Sequence, residues 1–123
     1  MRQYMDRLAD KNEYVRERYS RCLELVLDSR PGKVLDVGCD RGLFLEMLPK
    51  EVEKHGVDIK ALSGTEKNIQ YRRCDITAGF PYPEASFDVV HAAEIIEHVL
   101  DTEGFLRECF RVLKPGGRVV IST

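Results

Sequence analysis

The sequence predicts one doubly wound α/β domain over residues 1–123, and two observations support this. Short, continuous apolar runs, typical of strands buried on both faces, alternate with segments of helical periodicity. Such alternation implies a mainly parallel sheet joined by right-handed crossovers. The chain is 43% apolar and 33% charged, which is the balance of a folded globular domain.

The chain begins with a predicted N-terminal helical segment, residues 1–31. Apolar side chains recur there at helical spacing, at Val15, Tyr19, Cys22 and Val26. Asn12 is a candidate N-cap, and Pro31-Gly32 ends the helix. Residues 32–123 then form the predicted α/β core.

Five strands and two further helices are predicted within this core. The strands are Lys33–Val37, Glu53–Ile59, Ile69–Cys74, Phe87–His91 and Arg118–Ser122. The helices are Leu43–Leu48 and Asp101–Leu113, the second ended by Lys114-Pro115-Gly116-Gly117. The join from Lys60 to Asn68 is close to the minimum for a crossover, so a helix there has one or two turns at most.

Composition and charge argue against several classes of protein, although a nucleic-acid acceptor is not excluded. The net charge is −2 with both signs interspersed, so no nucleic-acid surface is evident. No segment has the apolar length of a membrane span or a signal peptide. The four cysteines form no C-x-x-C pair, which argues against a zinc knuckle or a redox pair and for buried thiols in a reducing compartment. We therefore expect a cytoplasmic protein.

The turn after the first strand carries the most information. Gly38 and Gly42 let the main chain turn sharply and lie against a ligand. Asp36 places a carboxylate beside the turn, where it suits a cationic partner. The pattern is D-x-G-x-x-x-G, whereas a dinucleotide-binding loop reads G-x-G-x-x-G and presents amides to pyrophosphate. An oxidoreductase is therefore disfavoured, and an ordinary strand-to-helix turn is the simpler alternative.

A second carboxylate follows at the predicted end of the second strand. Asp58 lies 22 residues after Asp36. A carboxylate about twenty residues beyond a glycine loop is placed to accept both hydroxyls of a ribose. A solvated aspartate at a strand end is the alternative.

These residues resemble motif I of the class I S-adenosylmethionine (SAM)-dependent methyltransferases, and the resemblance extends from about residue 33 to the end of the chain. Later segments resemble the family's further motifs in the correct order: Phe87-Asp88-Val89-Val90, Glu94-Ile95-Ile96-Glu97-His98-Val99 and Leu113-Lys114-Pro115-Gly116-Gly117. The group suggested is the UbiE/UbiG-like, type 11 methyltransferases. The resemblance implies a Rossmann-like sheet of order 3-2-1-4-5, here lacking the family's usual last two strands. It departs at one place, because Asp40 replaces the family's middle glycine.

The resemblance also implies a cofactor site. The implied cofactor-binding residues are Asp36, Gly38, Cys39, Asp40, Gly42, Asp58, Ile59, Asp75, Ile76, His91 and Ala92. Asp36 would serve the ammonium group of SAM, Asp75 the adenine amino group, and Ile76 the adenine ring. His91 and Ala92 would line the methionine end, although a lone histidine at a strand end more often belongs to the core. No residue is assigned as a catalytic base.

Glu94, Glu97 and His98 are candidates for a metal site, because their spacing places them on one face of a helix. Two carboxylates and an imidazole suit a divalent ion such as magnesium. The string resembles the ligands of the ubiquinone-biosynthesis catechol O-methyltransferases and of the enzymes that methylate the terminal ribose of small RNAs. Metal-free family members carry it too, with the glutamates bracing the loop. Since no fourth ligand is evident, the bracing role is preferred.

The predicted function is methyl transfer from SAM to an unidentified acceptor by in-line displacement, with S-adenosylhomocysteine (SAH) as the product. A small-molecule acceptor is preferred over a macromolecule. The alternative is a SAM-binding, non-catalytic subunit or fragment that needs a partner or a C-terminal region for its acceptor site. Val119-Val120-Ile121 would lie near an exposed sheet edge, which suggests a homodimer through the fifth strand.

Overall fold

The sheet of this protein has five parallel strands in the order β3-β2-β1-β4-β5, which is the order that the family resemblance implies. The structure is a computed structural model that describes residues 13–60 and 68–123. The strands are β1 (Lys33–Val37), β2 (Glu53–Asp58), β3 (Ile69–Arg73), β4 (Phe87–Ala93) and β5 (Leu113–Ser122). The helices are α1 (Glu13–Asp28), α2 (Leu43–Glu46) and α3 (Thr102–Val112), with 3-10 turns at Ile76–Ala78 and Ile96–His98.

The helices begin and end close to where the sequence predicts. The proposed cap Asn12 lies outside the described residues. Gly42, in a left-handed conformation, precedes the single turn of α2, which is shorter than predicted. Asp101 caps α3, where its side chain accepts a hydrogen bond from the Gly104 amide at 2.9 Å.

The fifth strand differs most from the prediction. Lys114-Pro115-Gly116-Gly117 is not a separate turn but part of β5, which starts directly after α3. Between two paired positions β4 advances from Phe87 to Val89 while β5 advances from Leu113 to Arg118, so the extra residues form a bulge. Pro115, which has no amide hydrogen, is tolerated because β5 lies at the sheet edge.

Side chains alternate between two hydrophobic layers. Val34 of β1 packs with α1 and α2 on one face, together with Val89 of β4. Leu35 and Val37 pack on the other face, with α3 and the segment 74–86. This arrangement covers both faces of the sheet, and its parallel strands all deliver their following loops to the same edge.

One connection cannot be compared with its prediction. The short crossover between β2 and β3 falls at residues 61–67, outside the described residues. Among the residues described, no helix has the length and apolar character needed to cross a membrane.

Candidate functional site

The loop after β1 turns at two glycines that other residues cannot replace without rearrangement. Gly38 and Gly42 have φ values of 75° and 82°, in the left-handed region. A Cβ atom on Gly38 would overlap the Ile95 side chain, and one on Gly42 would overlap the phenol oxygen of Tyr71. The loop after β1 therefore lies close to the loop after β4 and to β3, with no room for side chains at Gly38 and Gly42.

Asp40 preserves this path where the related family has a glycine. Its φ is 48°, also in the left-handed region, which aspartate enters more readily than most residues. Its side chain is exposed and lies 3.5 Å from the Lys60 ammonium. The substitution therefore retains the glycine-like conformation and points the carboxylate into solvent.

Asp58 fastens the loop to the end of β2. One carboxylate oxygen accepts the Asp40 amide at 2.8 Å, and the other accepts the Lys60 amide at 3.0 Å. A carboxylate oxygen can accept two hydrogen bonds, so each keeps capacity for a further donor. Ile59 beside it is 62% exposed and so does not belong to the core.

Asp36 and His91 form a buried pair on neighbouring strands. They face each other in the register of β1 and β4, with 2.8 Å between Asp36 Oδ1 and His91 Nδ1. The ring of Phe44 stacks on the imidazole at 3.8 Å between centroids. Burial alone would lower the pKa of His91, but the Asp36 charge and hydrogen bond, with Cys22, raise it to about 9. The His91 imidazole is therefore protonated at neutral pH.

Helix α1 packs on the same face of the sheet as this pair and carries a cationic side chain, Arg18, that sequence reasoning missed. Arg18 Nη1 lies 2.8 Å from Glu94 Oε1, and its Nε is buried without a hydrogen-bond partner in the described part of the chain. Tyr14 donates a hydrogen bond to the same Glu94 oxygen at 3.2 Å. The signal in the sequence is that Arg18 precedes the buried Cys22 by one helical turn, which directs both toward the sheet.

The remaining predicted residues lie at varied depths. Asp75 is exposed, and its carboxylate caps the next turn by accepting hydrogen bonds from the amide and the hydroxyl of Thr77. Ile76 lines a cleft of about 470 Å³ between this turn, the loop after β4 and α3. Cys39 and Ala92 are core residues, 5% and 0% exposed. Burial raises the pKa of the Cys39 thiol well above its usual range, so this thiol stays protonated.

The three metal candidates do not form a cluster. Glu94 is directed to Arg18, and His98 Nε2 lies 3.8 Å from Glu97 Oε1. Within residues 13–60 and 68–123, no three histidine, cysteine or acidic side chains are arranged to hold a metal ion. The continuous helix on which the metal hypothesis depended is replaced by a single 3-10 turn, Ile96–His98. The arrangement fits a bracing role for Glu94.

A family model described as a methyltransferase domain matches residues 7–123. The chain belongs to this methyltransferase family. The resemblance to class I SAM-dependent methyltransferases stated above is therefore confirmed.

Individual methyltransferases are also similar to this chain, in sequence or in structure. The human mitochondrial ubiquinone biosynthesis O-methyltransferase is 36% identical over 120 residues, which cover 82% of this chain and 32% of that protein. The Pseudomonas fluorescens Pf-5 ubiquinone biosynthesis O-methyltransferase is 37% identical over 111 residues, which cover 79% of this chain and 48% of that protein. The N-methyltransferase NodS of Bradyrhizobium japonicum, solved with SAH, superposes with a TM-score of 0.74 at 25% identity. The superposition covers 94% of this chain and 64% of NodS. The chain thus spans about a third to a half of the length of these two curated relatives.

Proposed function

We propose that the chain binds SAM at the carboxyl ends of β1, β2 and β3 and transfers its methyl group to a small-molecule acceptor. The observation that carries the proposal is the loop from Gly38 to Gly42, closed onto Asp58 by the Asp40 amide. A glycine turn tied to a strand-end carboxylate is a preformed cradle for an extended ligand with a ribose.

The residues present match the chemical groups of SAM. The carboxylate of Asp36 would serve the ammonium group, and Asp58 keeps lone pairs for the ribose diol. Ile76 presents an apolar surface beside a cleft for the adenine ring, with Asp75 next to it. Arg18, with its unpartnered and buried Nε, supplies the cation that the ligand carboxylate requires. Gly38, Cys39, Asp40, Gly42, Ile59, His91 and Ala92 complete the proposed cofactor-binding set.

The contribution of the chain is mainly positioning. SAM supplies an activated methyl group on a sulfonium, so the reaction needs little covalent chemistry from the protein. A rigid loop and a sheet edge that hold donor and acceptor in line contribute roughly 7–11 kcal/mol to lowering the barrier. Glu94 is held by Arg18 and Tyr14 rather than free, so we assign no general base.

A second candidate is a SAM-binding unit that needs a partner or further chain for its acceptor site. It is favoured by the share of its curated relatives that the chain spans, about a third to a half. The two candidates predict different outcomes when SAH binding is measured by calorimetry and turnover is then screened with hydroxyl and amine acceptors. Binding with turnover supports the enzyme, and binding alone supports the second candidate. Absence of SAH binding, with another nucleotide bound instead, would refute both.

Two further proposals concern the surroundings of the protein. We place it in the cytoplasm, which suits its four free cysteines. We also propose pairing of two copies through β5, an edge strand that runs from Leu113 to Ser122. Light scattering tests this pairing, because a strictly monomeric species at high concentration would contradict it.

A further inference from the structure

The Asp36 carboxylate, which the proposed function assigns to the ligand ammonium, already has a cationic partner. His91 Nδ1 lies 2.8 Å from Asp36 Oδ1, and the two side chains are 1% and 5% exposed. Both sit on the face of the sheet that α1 and α2 cover. A ligand ammonium that approaches Asp36 must therefore compete with an imidazolium in a site with little water to screen either charge.

Among the described residues, side chains from α1, α2 and β5 surround the pair. Helix α1 contributes Cys22, Tyr19 and Arg18, and the charge of Asp36 together with burial raises the pKa of Tyr19, so this phenol stays neutral. Helix α2 contributes only the uncharged ring of Phe44. The edge strand β5 contributes Ser122, whose hydroxyl is buried without a hydrogen-bond partner among the described residues. Arg18 is the cation on α1, and it is paired with Glu94 after β4.

The second nitrogen of His91 is the one from which a proton can leave at least cost. Nε2 is buried and has no nitrogen or oxygen hydrogen-bond partner in the described part of the chain. The Cys22 thiol also interacts with this ring, through a side-chain hydrogen bond and its charge, and this interaction contributes to the raised pKa of His91. In the imidazolium, Nε2 therefore has at most a weak sulfur acceptor, whereas Nδ1 has a carboxylate. The neutral ring keeps its Nδ1 hydrogen on Asp36 and offers the Nε2 lone pair to the thiol.

We propose that His91 is the positioning residue for Asp36, and that binding of the SAM ammonium drives one proton from His91 Nε2 into solvent. The inference rests on the proposed function, because it takes Asp36 as the ammonium ligand. Without ligand, the imidazolium neutralises and orients the buried carboxylate. With ligand, the ammonium replaces that charge, and the neutral ring still orients Asp36 through its Nδ1 hydrogen. The net charge of the site stays constant in the exchange.

Calorimetric titration with SAH, which carries the same ammonium group, tests the exchange. Between pH 6.0 and 7.5 the ordinary α-amino group, with a pKa of about 8, remains largely protonated. We expect affinity to rise with pH over this range, up to tenfold per unit for one proton released. We also expect the binding enthalpy to depend on the ionisation enthalpy of the buffer. Binding of SAH with equal enthalpy in two such buffers, and with no pH slope, would overturn the inference while leaving the proposed function intact.

Two histidine variants make the test specific. His91→Gln removes the exchangeable proton, so the pH slope and the proton release should both disappear. His55→Gln is the matched control, because His55 is also a buried strand histidine paired with an acidic residue, with 2.7 Å between its Nε2 and Glu53 Oε2. It faces the opposite hydrophobic layer, against Tyr82 and Phe87, and should behave like the wild type. A pH slope that persists in His91→Gln would refute the assignment.

A spectroscopic readout covers the case in which His91→Gln does not fold. Nitrogen NMR of the wild-type imidazole should show both ring nitrogens protonated in the free protein and only Nδ1 protonated once SAH binds. A ring that stays doubly protonated in the complex would overturn the inference. Failure of SAH to bind the wild type would overturn the proposed function as well, so the two failures are distinguishable.

Discussion

Gly42, at the end of the loop from Gly38 to Gly42, which we call the cofactor loop after its proposed role, offers the sharpest test of the site. In Gly42→Ala, the new Cβ would overlap the Tyr71 phenol oxygen, which now donates a hydrogen bond to the Arg41 carbonyl at 3.0 Å. The substitution therefore imposes two costs. The backbone must hold an alanine at a φ of 82°, and Tyr71 must move away from its acceptor.

Both costs can be given a magnitude. A left-handed conformation costs an L-residue roughly 1–2 kcal/mol. The reduced freedom of the unfolded chain offsets about 0.4–1 kcal/mol of this. Loss of the Tyr71 hydrogen bond adds about 1 kcal/mol. We expect the free energy of unfolding to fall by about 2 kcal/mol in total.

A matched glycine separates these costs. Gly116 has a φ of 81°, and a Cβ there would have no neighbour within 4 Å. Gly116→Ala should therefore show only the conformational cost, about 1 kcal/mol, and SAH affinity should not change. Gly42→Ala should lose SAH affinity at least tenfold, because Tyr71 no longer holds the Arg41 carbonyl and the loop is less firmly fixed against Asp58.

Urea denaturation and calorimetry provide the measurements. Adding Tyr71→Phe to Gly42→Ala removes the overlapping oxygen, so the double variant should be no less stable than Gly42→Ala alone, a departure from additivity of about 1 kcal/mol. Equal losses of stability and of affinity in Gly42→Ala and Gly116→Ala would refute the argument that Tyr71 fixes this turn.

Three further predictions follow from the same edge of the sheet. Asp40→Gly should raise the free energy of unfolding by about 1 kcal/mol in urea titrations by relieving a left-handed backbone, whereas Asp40→Ala should not. Asp58→Asn should weaken SAH binding in calorimetry at least tenfold, because the amide nitrogen of asparagine cannot accept one of the two backbone hydrogen bonds that Asp58 accepts. The control is Asp88→Asn, which should keep wild-type affinity. One oxygen of Asp88 accepts both the Gly32 and Lys33 amides, so the amide oxygen of asparagine can replace it. Because the folded pKa of His91 is raised to about 9, its stabilising contribution is complete below about pH 6.5 and is lost as pH rises toward 9. His91→Gln should lack this component in urea denaturation measured across that range.

The strands and the cofactor loop could be predicted from the sequence because their signals are local. Apolar runs identify β1 and β4, and the spacing of Gly38 and Gly42 identifies the turn. The strand order came instead from the family resemblance, and the sheet confirms it.

Contacts between distant segments could not be predicted in this way. Asp36 and His91 are 55 residues apart and meet only because the register of β1 and β4 places them opposite each other. The contact between Arg18 and Glu94 depends on how α1 packs over the sheet. The left-handed conformation of Asp40 depends on its neighbours, since aspartate adopts other conformations as easily.

The bulge of β5 lies near the start of the strand, whereas the end of the strand must stay in register with β4. Paired residues resume at Arg118 and continue to Ser122, opposite the end of β4 that leads to Glu94. Residues inserted or deleted near Gly116 should change only the size of the bulge, since that glycine is exposed and a Cβ added to it would have no neighbour within 4 Å. A peptide tag or fluorophore attached at this point would therefore report on the protein without disturbing the carboxyl ends of the strands, where the cofactor loop lies.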